Sequence, residues 1–306
     1  MKDALRAAGA RFWLRNARAP RSLAQGLAAD PDQDGLIRLD IRIEDGVIAA
    51  LAPHGSAPDG IDLRGGQVWP GPLDAHTHLD KGHIWPRTRN PDGTFFGALN
   101  AVMGDRGAKW SEADVEARAD FAIRCAYAHG TVAIRTHIDT FMPMARGSWR
   151  VLRNLRDRWA GRVDLQMSSI APLDRFAGGA GDEIADMVAE SSGVLGMVTR
   201  HTGSIHDALP EGFQEELDHF FSLAEDRGLD LDLHVDESGE SGARALREIA
   251  LTALKRGFRR RIQCGHCCSL SIQPEDFARE TIARVAEAGI DIVVLPMCNM
   301  YLQDRV

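Results

Sequence analysis

Apolar residues recur along the chain in two rhythms, and the change from one to the other divides it. Through residue 66 they alternate with polar residues in short runs, over 11–16, 36–43, 47–51 and 61–63, which predicts strands. Asp45-Gly46, set between two of these runs, predicts a hairpin turn, because such turns need the positive φ that glycine tolerates. Helical periodicity there is limited to a first turn or two, and 19–34, rich in Ala, Pro and Asp, reads as a surface loop. A small β domain over 1–66 is expected.

From Gly66 onward a strand, loop, helix unit repeats. Strands are predicted at 68–76, 131–137, 163–170, 194–199, 229–234, 261–264 and 290–295, with helical segments beginning near Ser111, Ser148, Gly181, Glu211, Glu240 and Pro274. Six of these helices stop at Gly130, Gly161, Gly193, Gly228, Gly257 and Gly289, where a left-handed cap suits a residue without Cβ. Ser111-Glu112-Ala113-Asp114 resembles a capping box with Asp in the usual Glu place. The stripes Val115, Ala119, Ala122, Ile123, Ala126 and Phe213, Leu217, Phe220, Phe221, Ala224 bury helices against a sheet and need no other role. Strands joined by crossover helices run parallel, and about 240 residues suit a (β/α) barrel better than an open doubly wound sheet. Seven strands are visible, one fewer than such a barrel contains. No Gly-x-Gly-x-x-Gly turn or phosphate loop follows a strand, which removes the commonest nucleotide-binding alternative.

Composition narrows the partners. The net charge of -8 argues against a nucleic-acid or anionic-membrane surface. Five cysteines, Cys125, Cys264, Cys267, Cys268 and Cys298, are too few and too unevenly spaced for a disulfide framework. No leader-like start and no apolar run long enough for a bilayer is evident, so a cytoplasmic setting is expected.

Chemistry gathers at the strand ends. In Pro72-Leu73-Asp74-Ala75-His76-Thr77-His78-Leu79-Asp80, side chains alternate faces, so His76 and His78 point the same way and can share one cation. The second strand ends in Arg135, His137 and Asp139, the fifth in His234-Val235-Asp236-Glu237, and the sixth in His266. Reactive groups of such barrels sit at the carboxyl ends of strands, and histidine at four of seven such ends points to metal ligation by His76, His78 and His234. His137 either orients a ligand, contacts substrate or is packed beneath the site. His201 is a weaker candidate, and His54, His129, His206 and His219 need no function. Cys264-Gly265-His266-Cys267 also admits a zinc knuckle or a redox pair, although no second Cys-x-x-Cys exists.

Taken in order, the runs Pro70-Gly71-Pro72-Leu73-Asp74-Ala75-His76-Thr77-His78-Leu79-Asp80, Ile134-Arg135-Thr136-His137-Ile138-Asp139, Leu233-His234-Val235-Asp236-Glu237, Gly265-His266-Cys267 and Asn299-Met300-Tyr301-Leu302-Gln303-Asp304-Arg305 resemble cytosine deaminase and its relatives in the amidohydrolase superfamily. The resemblance implies a metal-dependent TIM-type (β/α) barrel and hydrolytic release of ammonia from a small amino-heterocycle. It implies His76, His78 and His234 as ligands of one divalent metal, zinc or iron. Glu237 matches the glutamate that shuttles a proton to the ring nitrogen, and His266 the histidine that contacts the attacking water or the tetrahedral intermediate. Two-metal members bridge their ions with a carboxylated lysine after strand four; here that end reads Val198-Thr199-Arg200-His201, and the only lysines are Lys2, Lys81, Lys109 and Lys255, which favours one metal.

Two departures shape the expectation. The glutamine that grips the pyrimidine edge in cytosine deaminase is replaced, in Ala171-Pro172-Leu173-Asp174, by Leu173, which cannot make those hydrogen bonds. An isocytosine, an aminotriazine or another cyclic amide or amidine therefore stands beside a cytosine-like substrate. The family's last ligand, an aspartate ending strand eight, and the last βα unit fall beyond residue 306, so 67–306 reads as a C-terminally incomplete barrel, with an inactive truncated form as the alternative. The resemblance also favours a homo-oligomer.

Overall fold

The computed structural model describes residues 2–204 and 207–302, and the chain divides into two compact units, Met1–Gly71 and Pro72–Val306. His206 and residues 303–305 of the last motif lie outside the described residues. In the first unit a short helix, α1 (Lys2–Ala7), precedes β1 (Arg11–Pro20), β2 (Leu36–Glu44), β3 (Val47–Pro53) and β4 (Ile61–Asp62), arranged β3-β2-β1-β4. The hairpin turn is where the sequence puts it: Asp45 and Gly46 have φ of 51° and 80°, the pair of positive values that matches the twist of the flanking strands. Ala17, Ile37, Leu39 and Ile41 form the small core of this sheet. The predicted loop at 19–34 loses its first residues to β1.

The second unit is built from β5 (Leu73–Thr77), β6 (Ala133–Asp139), β7 (Asp164–Ile170), β8 (Leu231–Val235), β9 (Ile262–His266) and β10 (Asp291–Val293). Every pairing among them is parallel. Residues 194–198 join the two halves through parallel bridges, Ser168 to Val194 and Pro172 to Val198 on one side, Leu195 to Leu231 and Val198 to His234 on the other. The order is therefore β5, β6, β7, 194–198, β8, β9, β10, the seven parallel segments that the periodicity predicts.

Helices α3 (Glu112–Ala128), α4 (Ala145–Trp159), α5 (Gly179–Glu190), α6 (Phe213–Arg227), α7 (Ala245–Arg256) and α8 (Glu275–Glu287) alternate with these strands, after an unpredicted α2 (Phe95–Lys109) and before α9 (Pro296–Leu302). Their stripes, including Val115, Ala119, Ile123, Leu217, Phe220 and Phe221, close one core with Ile134, Met167, Met197 and Leu233 from the sheet. Ser111 caps α3 by accepting the Asp114 N–H, but Asp114 spends its carboxylate on Arg87 and Arg118 rather than completing the box.

Two glycine roles differ from expectation or exceed it. After α5 the left-handed residue is Ser192, with φ of 51°, not Gly193. Gly193 serves close approach, since a Cβ there would lie 2.9 Å from Met167 O. Gly196 is tighter: a Cβ would lie 2.5 Å from Asp232 O and closer still to Ser169 O. Gly196→Ala is expected to lower unfolding stability by about 1–3 kcal/mol or more, measured by denaturant titration; wild-type stability would show that 194–198 does not pass between β7 and β8.

Candidate metal centre

Parallel strands present their carboxyl ends on one side, and four histidines meet there. His76 on β5, His78 just beyond it, His137 on β6 and His234 on β8 each offer a ring nitrogen, all within 4.8 Å of one another. His78 Nε2 and His234 Nε2 face each other at 3.3 Å. Two nitrogens bound tetrahedrally to one zinc at ~2.0–2.1 Å stand roughly that far apart. Both ring nitrogens of His76, Nδ1 of His78 and Nδ1 of His234 are buried with no hydrogen-bond partner among the described residues. Burial, then neighbouring charge, pushes all three imidazoles well below their ordinary pKa. They are neutral rings with lone pairs to donate, the form that binds a metal. The donor set fits a divalent ion.

His137 is held differently. Its Nδ1 lies 3.3 Å from Thr77 O, and its Nε2 lies 3.0 Å from Asp232 Oδ1, too far out of line for a hydrogen bond. Asp232, fully buried on β8, also accepts Arg135 Nη1 at 2.8 Å and Gln263 Nε2 at 2.9 Å. This carboxylate ties β6, β8 and β9 together beneath the histidines. The sequence reading passed over it because it lies inside a strand rather than at its end.

Beside the histidines, Glu237 Oε1 lies 3.1 Å from His266 Nδ1. Asn299 on α9 serves both: its Nδ2 donates to Glu237 Oε1 at 3.2 Å, and its amide lies 3.1 Å from His266 Nδ1. Burial pushes Glu237 up to about 7, against the pull of Lys81, the Asn299 hydrogen bond and Arg200. Burial lowers His266 to about 4, opposed by the Asn299 bond, so its ring is neutral near pH 7. A carboxyl group poised at neutrality can both take and give a proton. Its neighbour Asp236 has a structural task, accepting the N–H groups of Ala245 and Leu246 at the start of α7 at 2.9 and 3.0 Å.

A cationic arm completes the rim. Lys81 Nζ donates to Asp139 Oδ1 at 2.9 Å, and Arg106 Nη1 on α2 donates to Asp139 Oδ2 at 2.6 Å. The Asp139 N–H in turn donates to Asp80 Oδ2 at 2.8 Å, which fixes the loop just after His78. The signal for Lys81 was its place, three residues past His78. Leu173 is not on this rim with a free face: it sits in a 3-10 turn (Leu173–Phe176), 1% exposed, inside the hydrophobic core. His201 is paired with Glu216 at 2.6 Å.

The cysteine reading finds no support. Cys264 and Cys267 are buried, with thiols raised far above their ordinary values by burial, and Cys268 is pushed up to about 12 by the same cause. Protonated thiols are poor metal ligands. Among the described residues the four histidines are the one group of three or more such side chains able to hold an ion.

No protein-family model matches the chain. It is 46% identical to a pterin deaminase of Rhizobium rhizogenes strain K84 over 300 residues, 97% of this chain and 67% of the relative. The chain belongs to the same amidohydrolase family as this deaminase.

A more distant relative is the N-isopropylammelide isopropyl amidohydrolase of Pseudomonas sp. strain ADP, 25% identical over 85% of this chain and 62% of that protein. The chain thus spans about two thirds of the length of these relatives or slightly less. In fold it is similar to the crystal structure of 5-methylcytosine deaminase from Klebsiella pneumoniae with 5-fluorocytosine, with a TM-score of 0.80 at 20% identity, over 95% of this chain and 67% of that one. Deaminases of this superfamily bind a divalent metal, and the four-histidine group stands where strand ends of a TIM-type barrel carry such a site. Among the described residues no helix is long and apolar enough to cross a membrane.

Within the amidohydrolase site, Gly265 on β9 makes room for a ligand: a Cβ there would lie 2.9 Å from His76 Cε1 and 3.0 Å from its Nδ1. Gly265→Ala is expected to displace the His76 ring and weaken zinc binding about 10–100-fold, read by competition with a chromogenic chelator. Unchanged zinc affinity would show that the His76 ring does not help to hold the ion.

Proposed function

We propose that this amidohydrolase removes the amino group from a 2-amino-4-oxo heterocycle of the pterin class, exchanging it for oxygen and releasing ammonia. The observation that carries the reading is a buried carboxyl group, Glu237, balanced near neutrality beside three unpartnered neutral histidines. The 46% identical relative named as a pterin deaminase supports the ring class.

In this reading His76, His78 and His234 hold one zinc or ferrous ion, and His137 orients the group from below through Thr77 and Asp232. The ion, when bound, supplies Lewis acidity that brings the pKa of water towards neutrality. Glu237 takes one proton from the attacking water and passes it to a ring nitrogen, then takes the second from the hydroxyl group that has added and passes it to the departing amine. A pKa near 7 suits both transfers. His266, neutral and fixed by Asn299, aligns the carboxyl group and offers its outer nitrogen to the oxygen that adds. Water and the amino-heterocycle are consumed, and the oxo-heterocycle and ammonia leave, so the enzyme needs no further reactant.

Glu237→Gln keeps the shape and the Asn299 contact but cannot carry a proton. It is expected to retain the metal content of the parent protein and to lower kcat on pterin about 10²–10⁴-fold, followed by ammonia release and by atomic absorption on the same sample. Turnover at the parental rate would remove Glu237 from the mechanism. Absence of ammonia release from pterin by the unaltered, metal-loaded chain would overturn the substrate class.

A further inference from the structure

One charged side chain near the rim has no task in the chemistry above. Arg200 follows segment 194–198, at the carboxyl end of the fourth parallel strand, and is 7% exposed. Among the described residues its Nε is buried without a hydrogen-bond partner, and its Nη1 reaches two backbone oxygens at long range, His201 O at 3.4 Å and Ser204 O at 3.3 Å. Every other site cation is spoken for: Lys81 and Arg106 are on Asp139, and Arg135 is on Asp232.

No carboxylate among the described residues forms an ion pair with Arg200, although Glu237 and Asp174, just after β8 and β7, and Asp139, the last residue of β6, act on it electrostatically. Three carboxylates at three strand ends place the guanidinium among the carboxyl ends of the strands. Burial lowers its pKa and those distant charges offset it only in part. A guanidinium stays charged in proteins. A buried charge left so poorly paired is expensive, and a ligand that supplies acceptors removes that cost.

We propose that Arg200 is the specificity-determining residue of the site, its guanidinium reading two adjacent in-plane acceptors on a fused 4-oxo ring system. This rests on the deaminase reading above and deepens it. The planar fork of arginine matches paired acceptors better than any other side chain. A 2-amino-4-oxopteridine offers its exocyclic 4-oxo oxygen beside a nitrogen of the second ring, the same pattern as O6 and N7 of guanine, which arginine takes bidentately. Isocytosine carries the oxygen but lacks the second ring and its nitrogen. Arg200 therefore favours fused bicyclic substrates over single rings, and leaves the amino edge of the ring free to face Glu237.

The test compares Arg200→Gln and Arg200→Lys in the full chain loaded with zinc. Binding of pterin and of isocytosine is measured by calorimetry in a Glu237→Gln background, and kcat and KM are measured with Glu237 intact. Arg200→Gln is expected to weaken pterin binding and raise its KM about 10-fold or more, with isocytosine changed far less. Arg200→Lys, which keeps the charge but not the fork, is expected to recover little of the loss. Equal losses for both rings, or full recovery with lysine, would overturn the bidentate assignment, and so would pterin binding that is undetectable in the parent background or indifferent to Arg200. If Arg200→Gln does not fold, as judged by its melting curve, the lysine variant decides alone. Pterin binding that depends on Arg200 without ammonia release would sink the deaminase reading only; ammonia release with unchanged KM in Arg200→Gln would sink this inference only.

Discussion

The structure depends on keeping imidazole rings neutral and out of water. His76, His78 and His234 are buried among one another, and desolvation outweighs every other influence on their charge. The 3.3 Å approach of His78 Nε2 to His234 Nε2 lets two neutral rings share a hydrogen bond in one tautomer or hold one cation between them in the other. The backbone around them is shaped to this end. Gly265 gives His76 its space, and the left-handed turn of His266 and Cys267, with φ of 71° and 51°, ends β9 beside Glu237. Asp232 anchors the layer beneath.

The same desolvation sets the acid. Burial alone would fix Glu237 as a neutral carboxyl group, while Lys81, Asn299 and Arg200 pull it back towards ionisation and leave it near 7. Cations close to a metal centre are costly to place, because they oppose the ion itself. Lys81 is accommodated because Asp139 takes its charge, and Asp139 in turn is shared with Arg106. The rim is thus an alternation of charges in which each group has a partner or a reason to lack one.

The parts of this arrangement that were legible in the sequence are those governed by periodicity. Strand ends at His76, His137, His234 and His266 follow from alternation and from glycine-capped helices, because a parallel sheet sends every strand's carboxyl end to the same side. Segment 194–198 was visible for the same reason, although it pairs by bridges rather than a full ladder. What escaped was held by polar contacts or by close packing. Helix α2 contains Gly97, Gly104 and Gly107 and lacks an apolar stripe; it is fastened through Asp105, a buried carboxylate that receives Arg87, Thr88 and Trp110. Gly193 was misread because Ser192 takes the left-handed turn and the close approach to β7 takes the glycine. Leu173 follows a strand end in the sequence, yet its side chain lies in the core.

The charged groups of the rim share a location. Lys81, Arg106 and Arg200 lie in connections after strands or on a helix without a stripe, where no hydrophobic rhythm constrains the sequence. Groups on strand ends are placed by the sheet and hardly free to move, so their positions are written into the fold's periodicity. Groups on the connections are placed by ion pairs and single hydrogen bonds, which can be exchanged without disturbing the core. A scaffold of this kind can keep one reaction while changing which ring it accepts. In the proposed reading the choice of ring is carried by long side chains whose partners become visible only when the loops are folded.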